Sequence, residues 1–307
     1  GGEAANVPPE AFEALISGLV ESRRIRAAFD TFHRMRTWAL VEPTPRLYAV
    51  MIRASGVARD PDRAVSLYDE LAEKEEPSPE ARAELVMALA SRPRTVRAAL
   101  RKFHDSMRQG DTVRLDVCRV LASACADSGH ANEVKLLQRR MLAAGIAPDA
   151  KLRADFIRAF GVAAADAASG AERVQLLAHA WRTLEDARAE GPVASSVLSA
   201  LLSAYCASGL ADHAEKLLAM YPEFSCKPDA ESYSIVLKAL QGRPQRFQLL
   251  WDSMLAHTDV EPTVEMLQSA LRIAVACKDS RWVHAVLELM FASQTTPSPG
   301  VSEGVLT

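Results

Sequence analysis

Apolar side chains recur at intervals of three and four positions along most of the chain, and pairs of Pro and a polar residue interrupt this pattern at regular points. In LLQRRMLAAGIAPD (136–149) the apolar stripe runs into Gly145, and Pro148-Asp149 follows. Gly after a periodic run ends a helix, and Pro soon afterwards prevents the helix from restarting. The alternation of Val, Ile and Thr that is typical of strands is absent. The pattern therefore predicts an all-α protein built from amphipathic helices.

The Pro-plus-polar pair is a repeated feature with a regular spacing. It occurs at Pro43-Thr44, Pro77-Ser78, Pro148-Asp149, Pro228-Asp229 and Pro262-Thr263. The separations of 34, 71, 80 and 34 residues correspond to one, two, two and one units of about 35, with one excess of about ten. We expect that excess to be a loop insertion at GVAAADAASGAE (161–172). A period of this size is typical of a solenoid of helical hairpins.

The interior of each unit has the same apolar pattern. A large residue stands about seven positions before each pair, and Ala often stands about seven positions earlier still. The large residues are Met35, Leu71, Met107, Met141, Tyr221, Met254 and Met290, and the alanines are Ala28, Ala64, Ala99 and Ala214. Such stripes predict the second helix of each hairpin, and Tyr48, Met51 and Ile52 exemplify the stripe of a first helix.

These patterns predict about eight helical hairpins stacked into one right-handed α-solenoid over residues 9–293. The expected repeats are 9–44, 45–78, 79–114, 115–149, 150–192 (with the insertion at 161–172), 195–229, 230–263 and 264–293. The Pro/Ser/Gly-rich end at 294–307 is expected to be a disordered tail.

Two stretches, SSVLSALLSAYCASGLADHAEKLLAMYPEFSCKPD (195–229) and YAVMIRASGVARDPDRAVSLYDEL (48–71), resemble the pentatricopeptide repeat family. The resemblance covers roughly 9–293 and is to degenerate P-type repeats without a C-terminal catalytic domain. The rival tetratricopeptide repeat requires a tiny residue four places after its first aromatic. That place holds Ile16, Ile52, Met87, Ala122, Ile157, Leu202, Leu237 and Leu271. Mostly large side chains there argue against the rival.

The resemblance implies that the first helices line a groove in which each repeat can read one base of single-stranded RNA. The two reading positions are the residue after the aromatic site of the first helix and the last residue of the repeat. They correspond to Glu13/Thr44, Ala49/Ser78, Arg119/Asp149, Ser199/Asp229 and Ser234/Thr263, with Glu84, Ala154 and Gln268 at the first position of degenerate repeats. Only Ser199/Asp229 matches a readable pair. The alternative is that the last residues are N-caps, because Ser, Thr and Asp are the preferred types there.

Charge is uneven along the chain, whose net charge is −3. Residues 1–160 carry 25 Lys+Arg and 22 Asp+Glu, whereas 161–307 carry 11 and 17. The densest group, hereafter the basic cluster, is Arg92, Arg94, Arg97, Arg101 and Lys102, and a smaller one is Arg23, Arg24 and Arg26. Both are expected at hairpin turns, where they are candidates for RNA phosphate contacts. The alternative is a solvated helix face.

Catalytic and metal-binding motifs are absent from the sequence. The five cysteines form no C-x-x-C pair, the seven histidines have no partners at metal-ligand spacing, and no phosphate loop or nucleophile motif occurs. The longest apolar run, SSVLSALLSAYCASGL (195–210), is too short to cross a bilayer. We therefore expect no enzyme activity, no cofactor, no small-molecule substrate and no membrane partner.

Three functions fit these features. The first is a structural component of a mitochondrial ribonucleoprotein such as the mitochondrial ribosome, where the repeats dock rRNA and neighbouring proteins. The second is a free RNA-binding factor for processing, stability or translation of organellar transcripts, and the third is a protein-only scaffold. The poor match to readable pairs and the acidic C-terminal half favour the first over the second. The basic cluster disfavours the third. The family resemblance implies the mitochondrial matrix, with the chloroplast as the alternative.

Overall fold

A computed structural model describes residues 8–37, 41–257 and 260–292. These residues form α-helices joined by short turns, with no strand among them, so the all-α class is confirmed. The predicted tail at 294–307 and residue 293 lie outside the described residues. The chain divides into two compact units, 1–147 and 148–307, each of which is a stack of helical hairpins. The single repeat domain at 9–293 stays a prediction.

The first unit contains four hairpins. Their helices are α1 (Pro9–Glu21), α2 (Ile25–Thr37), α3 (Pro45–Val57), α4 (Pro61–Lys74), α5 (Pro79–Ala90), α6 (Val96–Arg108), α7 (Leu115–Ser128) and α8 (Ala131–Ala143). A 3₁₀ turn at Pro93–Thr95 precedes α6. Each odd-numbered helix of this unit packs on its hairpin partner, and α1, α3, α5 and α7 pack in succession to form a continuous layer.

The second unit repeats this arrangement. Its helices are α9 (Ala150–Ala165), α10 (Gly170–Glu190), α11 (Ser195–Ala207), α12 (Ala211–Ala219), α13 (Ala230–Ala239), α14 (Pro244–His257), α15 (Val264–Ala276) and α16 (Ser280–Ala292), with a 3₁₀ turn at Tyr221–Phe224. Here α9, α11, α13 and α15 form the continuous layer. No described helix combines the length and the apolar composition that a bilayer span needs.

The predicted apolar stripes form the core of both units. The four stripe alanines are fully buried, and six of the seven large stripe residues are at most 1% exposed. Met107 is the exception and is half-buried. Burial of these side chains between the helices of a hairpin and its neighbours is the main stabilising contribution to such a stack.

Counting from the N-cap residue aligns the first helices of all eight hairpins. The residue eight positions after the cap is at most 2% exposed in every case. These residues are Ile16, Ile52, Val86, Ala122, Ile157, Leu202, Leu237 and Leu271. In the third repeat this place belongs to Val86, whereas half-buried Met87 was predicted there. The same one-residue error makes Ala83, not Glu84, the first reading position of that repeat, because Ser78 caps α5.

The predicted loop insertion at 161–172 is wrong. Helix α9 continues through Ala165, and α10 begins at Gly170, so only residues 166–169 connect the two helices. The additional residues lengthen the hairpin instead, since α10 has 21 residues and α9 has 16. Gly161 lies inside α9 at a point where α9 approaches α11 too closely for a side chain. A Cβ on Gly161 would lie 2.6 Å from Ala204 Cβ.

Candidate nucleic-acid interface

The last residues of the repeats act as helix N-caps. Leu47 N–H donates to Thr44 Oγ1 (3.3 Å), Ala81 N–H to Ser78 Oγ (3.2 Å) and Leu152 N–H to Asp149 Oδ1 (2.8 Å). The same bond joins Ser232 N–H to Asp229 Oδ1 (2.8 Å) and Met266 N–H to Thr263 Oγ1 (3.4 Å). The capping interpretation is therefore confirmed, and base reading by these five residues stays a prediction.

Ser199 and Asp229, the pair that matches a readable combination, are connected through a buried hydrogen-bond network. Ser232 Oγ donates to Asp229 Oδ1 (2.7 Å) and lies 2.9 Å from the Tyr221 hydroxyl and 3.5 Å from Ser199 Oγ. Ser199 is only 8% exposed, and Ser232 is fully buried. The polar groups that would contact a base therefore already contact one another across the α11–α13 packing.

The other reading positions differ widely in environment. Glu13 is half-buried and accepts a hydrogen bond from the Thr44 hydroxyl, so the two members of the first pair contact each other. Ala49 is buried, and Arg119 is exposed on α7. Ala154, Ser234 and Gln268 are half-buried. The structure thus presents a mixture of charged, apolar and amide groups at these positions.

The basic cluster lies at the 3₁₀ turn and along α6. Arg94, Arg97 and Arg101 are exposed, and within the described part of the chain no carboxylate forms an ion pair with them. Arg92 Nε donates to the Arg59 carbonyl (2.6 Å), and Lys102 Nζ lies 5.4 Å from the centroid of the Tyr68 ring. The first turn of α6 holds no acidic residue. Cations are unfavourable at a helix N-terminus, where the helix dipole attracts anions. An external anion would stabilise this arrangement.

Arg23, Arg24 and Arg26 are also exposed, at the turn between α1 and α2. Arg23 has a left-handed backbone (φ 58°), as do Arg59 after α3 and Lys278 after α15. Cations next to helix C-termini interact favourably with the helix dipole. Arg23, Arg59 and Lys278 therefore have a structural role that requires no ligand, whereas Arg26 lies in the first turn of α2, which holds no acidic residue.

Metal and thiol chemistry finds no support among the described residues. No group of His, Cys, Asp and Glu side chains in this part of the chain could hold a metal ion. Burial raises the pKa of the Cys118 and Cys125 thiols to about 12. Both thiols are therefore protonated at neutral pH, and a protonated thiol is a poor nucleophile.

Comparison with known proteins identifies the repeat. A profile of the PPR repeat matches residues 10–38, 46–75 and 196–226. The crystal structure of the pentatricopeptide repeat protein PPR10 from maize superimposes with a TM-score of 0.75 at 15% identity, over 98% of this chain and 41% of that one. The chain contains pentatricopeptide repeats (PPRs) at these three segments. Its fold is the PPR α-solenoid.

Two further comparisons show the extent of the likeness. PPR10 in complex with an 18-nt psaJ RNA element superimposes with a TM-score of 0.53 at 13% identity, over 98% of this chain and 47% of that one. A pentatricopeptide repeat-containing protein of Arabidopsis thaliana is 33% identical over 70 residues, which is 22% of this chain and 9% of that protein. The chain thus spans less than half of the length of each of these relatives.

The PPR register reveals a set of cations that sequence reasoning missed. Nine positions after the N-cap, one turn beyond the first reading position, stand Arg53 in the first unit and Arg158, Lys238 and Arg272 in the second. We call them the odd-helix cations. Lys238 and Arg272 are exposed, Arg53 is half-buried, and Arg158 pairs with Asp155. Counting from the caps, which are visible in the sequence, would have found them.

Glu84 is a buried carboxylate on α5, in the layer of odd-numbered helices of the first unit. It is 6% exposed, and burial raises its pKa to about 7, while the positive charges of Arg53 and Arg114 limit the rise. A carboxyl group that titrates near neutrality changes the charge of this PPR layer over the physiological pH range.

Proposed function

We propose that this PPR protein binds RNA chiefly through phosphate groups, as a non-catalytic structural component of a mitochondrial ribonucleoprotein of the mitochondrial-ribosome type. The observation that carries the proposal is the unpaired basic cluster. Arg94 and Arg97 are exposed at the positive end of α6 and Arg101 is exposed one turn further along the helix, all three without carboxylate partners. Such a surface gains free energy from a polyanion through the release of counterions.

The environment of the reading positions also favours phosphate binding over base reading. Thr44, Ser78, Asp149, Asp229 and Thr263 each cap a helix, and Ser199 is buried in the network with Ser232. Groups that already have partners inside the protein gain less from a base, since those bonds must first be broken. Recognition of backbone and shape, rather than of sequence, suits a component that docks on structured rRNA and on neighbouring proteins.

A free RNA-binding factor is the second candidate, and the odd-helix cations favour it. Arg158, Lys238 and Arg272 lie next to the first reading positions of an otherwise acidic unit. The 18-nt psaJ RNA element in complex with PPR10 provides a precedent for RNA on a PPR protein. Cations beside the reading positions would contribute phosphate contacts to such a strand.

The first experiment tests phosphate binding. Changing Arg94, Arg97 and Arg101 together to Ala should weaken binding to structured and single-stranded RNA alike. The slope of log affinity against log salt should shrink by about 2–3. A matched control replaces Arg36, Arg243 and Arg246, which pair with carboxylates, and should change the slope little. Equal slopes for the two triple variants would refute the proposal. Absence of RNA affinity in the unsubstituted chain would favour a protein-only scaffold.

A second experiment separates the two RNA-binding candidates. Asp229→Ala should destabilise α13 by about 1 kcal/mol through the lost cap. Neither this change nor Ser199→Ala should alter which RNA is preferred. An RNA preference that switches with these two residues would establish the free factor instead.

A third experiment tests the cellular assembly. The native protein should co-sediment with mitochondrial ribosomal particles and cross-link to rRNA. Sedimentation with chloroplast particles would identify the alternative organelle.

A further inference from the structure

The first unit contains a cavity between α4, α5 and α6 that the reading positions do not line. Its volume is about 330 Å³, within the range of small-molecule sites. Tyr68, Leu85, Lys102 and Arg108 are among the residues that line it. Leu85 is buried and gives the cavity an apolar surface, whereas Lys102 and Arg108 are exposed cations. The cavity therefore combines an aromatic ring, an apolar side chain and positive charge.

Part of the cavity wall is Arg82, which is held in a buried ion pair. Arg82 Nε and Nη2 donate to the two Asp111 carboxylate oxygens (2.7 and 2.6 Å), and Nη1 donates to the Pro77 carbonyl (2.6 Å). Asp111 also accepts a hydrogen bond from Ser106. Because Asp111 neutralises Arg82 and fixes it in place, Arg82 forms a rigid part of the wall. Arg108 Nη1 lies 3.4 Å from Asp105 Oδ1, so the charge that is available to a ligand comes from Lys102.

The Tyr68 hydroxyl and the Lys102 ammonium are available to contact a ligand. Lys102 Nζ lies 5.4 Å from the centroid of the Tyr68 ring. Apart from this contact, neither the Tyr68 hydroxyl nor the Lys102 ammonium forms a hydrogen bond or an ion pair with the rest of the described chain. Tyr68 is half-buried and Lys102 is exposed, so this cation–π contact is partly open to solvent and weak. The long Lys side chain can move to another partner without disturbing the fold.

The basic cluster leads directly to this cavity. Arg97, Arg101, Asp105 and Arg108 follow one another at intervals of four, four and three residues, so they share one face of α6. Asp105 and Arg108 line the cavity. An RNA strand whose phosphates contact Arg97 and Arg101 therefore lies beside the cavity entrance.

We propose that the cavity accepts one unstacked nucleotide of the single-stranded RNA that the basic cluster binds. The base contacts the face of the Tyr68 ring, and Lys102 moves from the ring to the adjoining phosphate. This inference rests on the proposed RNA binding and adds a site outside the odd-helix layer. Stacking on an aromatic side chain tolerates every base, because each base has a π-face. The site therefore strengthens binding without selecting a sequence.

The test uses the full chain with two probes, a short oligouridylate and an abasic ribose-phosphate oligomer of equal length. Tyr68→Leu should weaken oligouridylate binding by about 5- to 150-fold and leave its salt slope unchanged. The affinity for the abasic oligomer should stay the same. Tyr68→Phe, which restores the ring, should recover most of the loss. Tyr205→Leu, a half-buried tyrosine in the second unit, serves as the control for general destabilisation.

Each failure has a distinct signature. If the triple arginine variant loses affinity while Tyr68→Leu binds oligouridylate normally, the cavity inference is wrong and the proposed function stands. If the unsubstituted chain binds neither probe, both are wrong. Photo-cross-linking gives a readout that needs no variant. A 4-thiouridine in the oligouridylate should cross-link to Tyr68 in the unsubstituted chain, and cross-links confined to the odd-numbered helices would overturn the inference.

Discussion

Replacing Gly161 by Ala is the sharpest test of how successive hairpins pack in the second unit. An ideal Cβ at Gly161 would lie 2.6 Å from Ala204 Cβ and 2.9 Å from Ala204 Cα. Contacts below about 3.4 Å are repulsive between carbon atoms, so α9 and α11 would have to separate by roughly 1 Å. Gly56 and Ala88 repeat the arrangement in the first unit with a looser distance of 3.1 Å.

Two opposing contributions set the magnitude for Gly161→Ala. Overpacking a well-packed interior costs about 1–3 kcal/mol. Ala is about 1 kcal/mol more favourable than Gly inside a helix. The net effect should be a destabilisation on the order of 1 kcal/mol. Gly18→Ala in α1 is the matched control, because nothing lies within 4 Å of the position that its new methyl group would take. That change should stabilise the protein by about 1 kcal/mol.

Urea unfolding followed by circular dichroism measures both variants, and hydrogen exchange of the α9 and α11 amides reports on the second unit directly. The two substitutions should shift the free energy of unfolding in opposite directions. Faster exchange should be confined to α9 and its neighbours in Gly161→Ala. If Gly161→Ala stabilised the protein as much as Gly18→Ala does, the close α9–α11 contact would not be a real constraint and the packing account would be refuted.

Three other substitutions test the core and the buried charges. Ala214→Glu places an unpaired charge at a fully buried site, so it should lower the melting temperature, and an unchanged melting curve would show that the register of α12 is wrong. Because the pKa of Glu84 is about 7 in the folded chain, stability should fall as pH rises from about 4.5 to 7. Glu84→Gln should accordingly be more stable than the parent by about 1–3 kcal/mol above about pH 8, with the difference vanishing near pH 4 in urea titrations. Asp111→Ala leaves Arg82 without its carboxylate and should cost about 3 kcal/mol by the same assay; a cost under about 0.5 kcal/mol would contradict the buried pair.

Sequence patterns predicted the class, the period and the stripes because each follows from helix geometry. The stripe of the second helices is an example, since Ala28 and Met35 stand seven residues apart and both are buried. The phase of α5 was missed because apolar residues occupy nearly all of its faces, so periodicity gives no phase. The predicted loop at 161–172 failed for a different reason. Its Gly and Ala residues resemble a linker, but Gly161 is required by a tertiary contact with Ala204 that lies 43 positions away in the chain.

The candidate site was less accessible to sequence reasoning than the fold. Exposure of Arg94, Arg97 and Arg101 agrees with the predicted hairpin-turn cluster, and capping by the last residues follows from their types. The network of Ser199, Ser232 and the Tyr221 hydroxyl could not be foreseen, because it depends on the side-chain directions of three separate segments. The cavity beside Tyr68 could not be predicted from the sequence for the same reason. Its walls come from α4, α5 and α6, and no short motif unites them.

The chain of hydrogen bonds from Tyr221 through Ser232 to Asp229 has a consequence for how such repeats evolve. Asp229 holds the start of α13, and if it also read a base, selection on folding and selection on recognition would act on the same carboxylate. Exchange of Asp229 for Asn, an N-cap of similar rank, is a nearly neutral path by which the repeat could drift to a different ligand preference. Exchange of Asp229 for an aliphatic residue would be selected against, because the lost cap would weaken the helix before any new ligand preference could be selected. Residue preferences at this position across related repeats would consequently record helix capping even where no base was ever read.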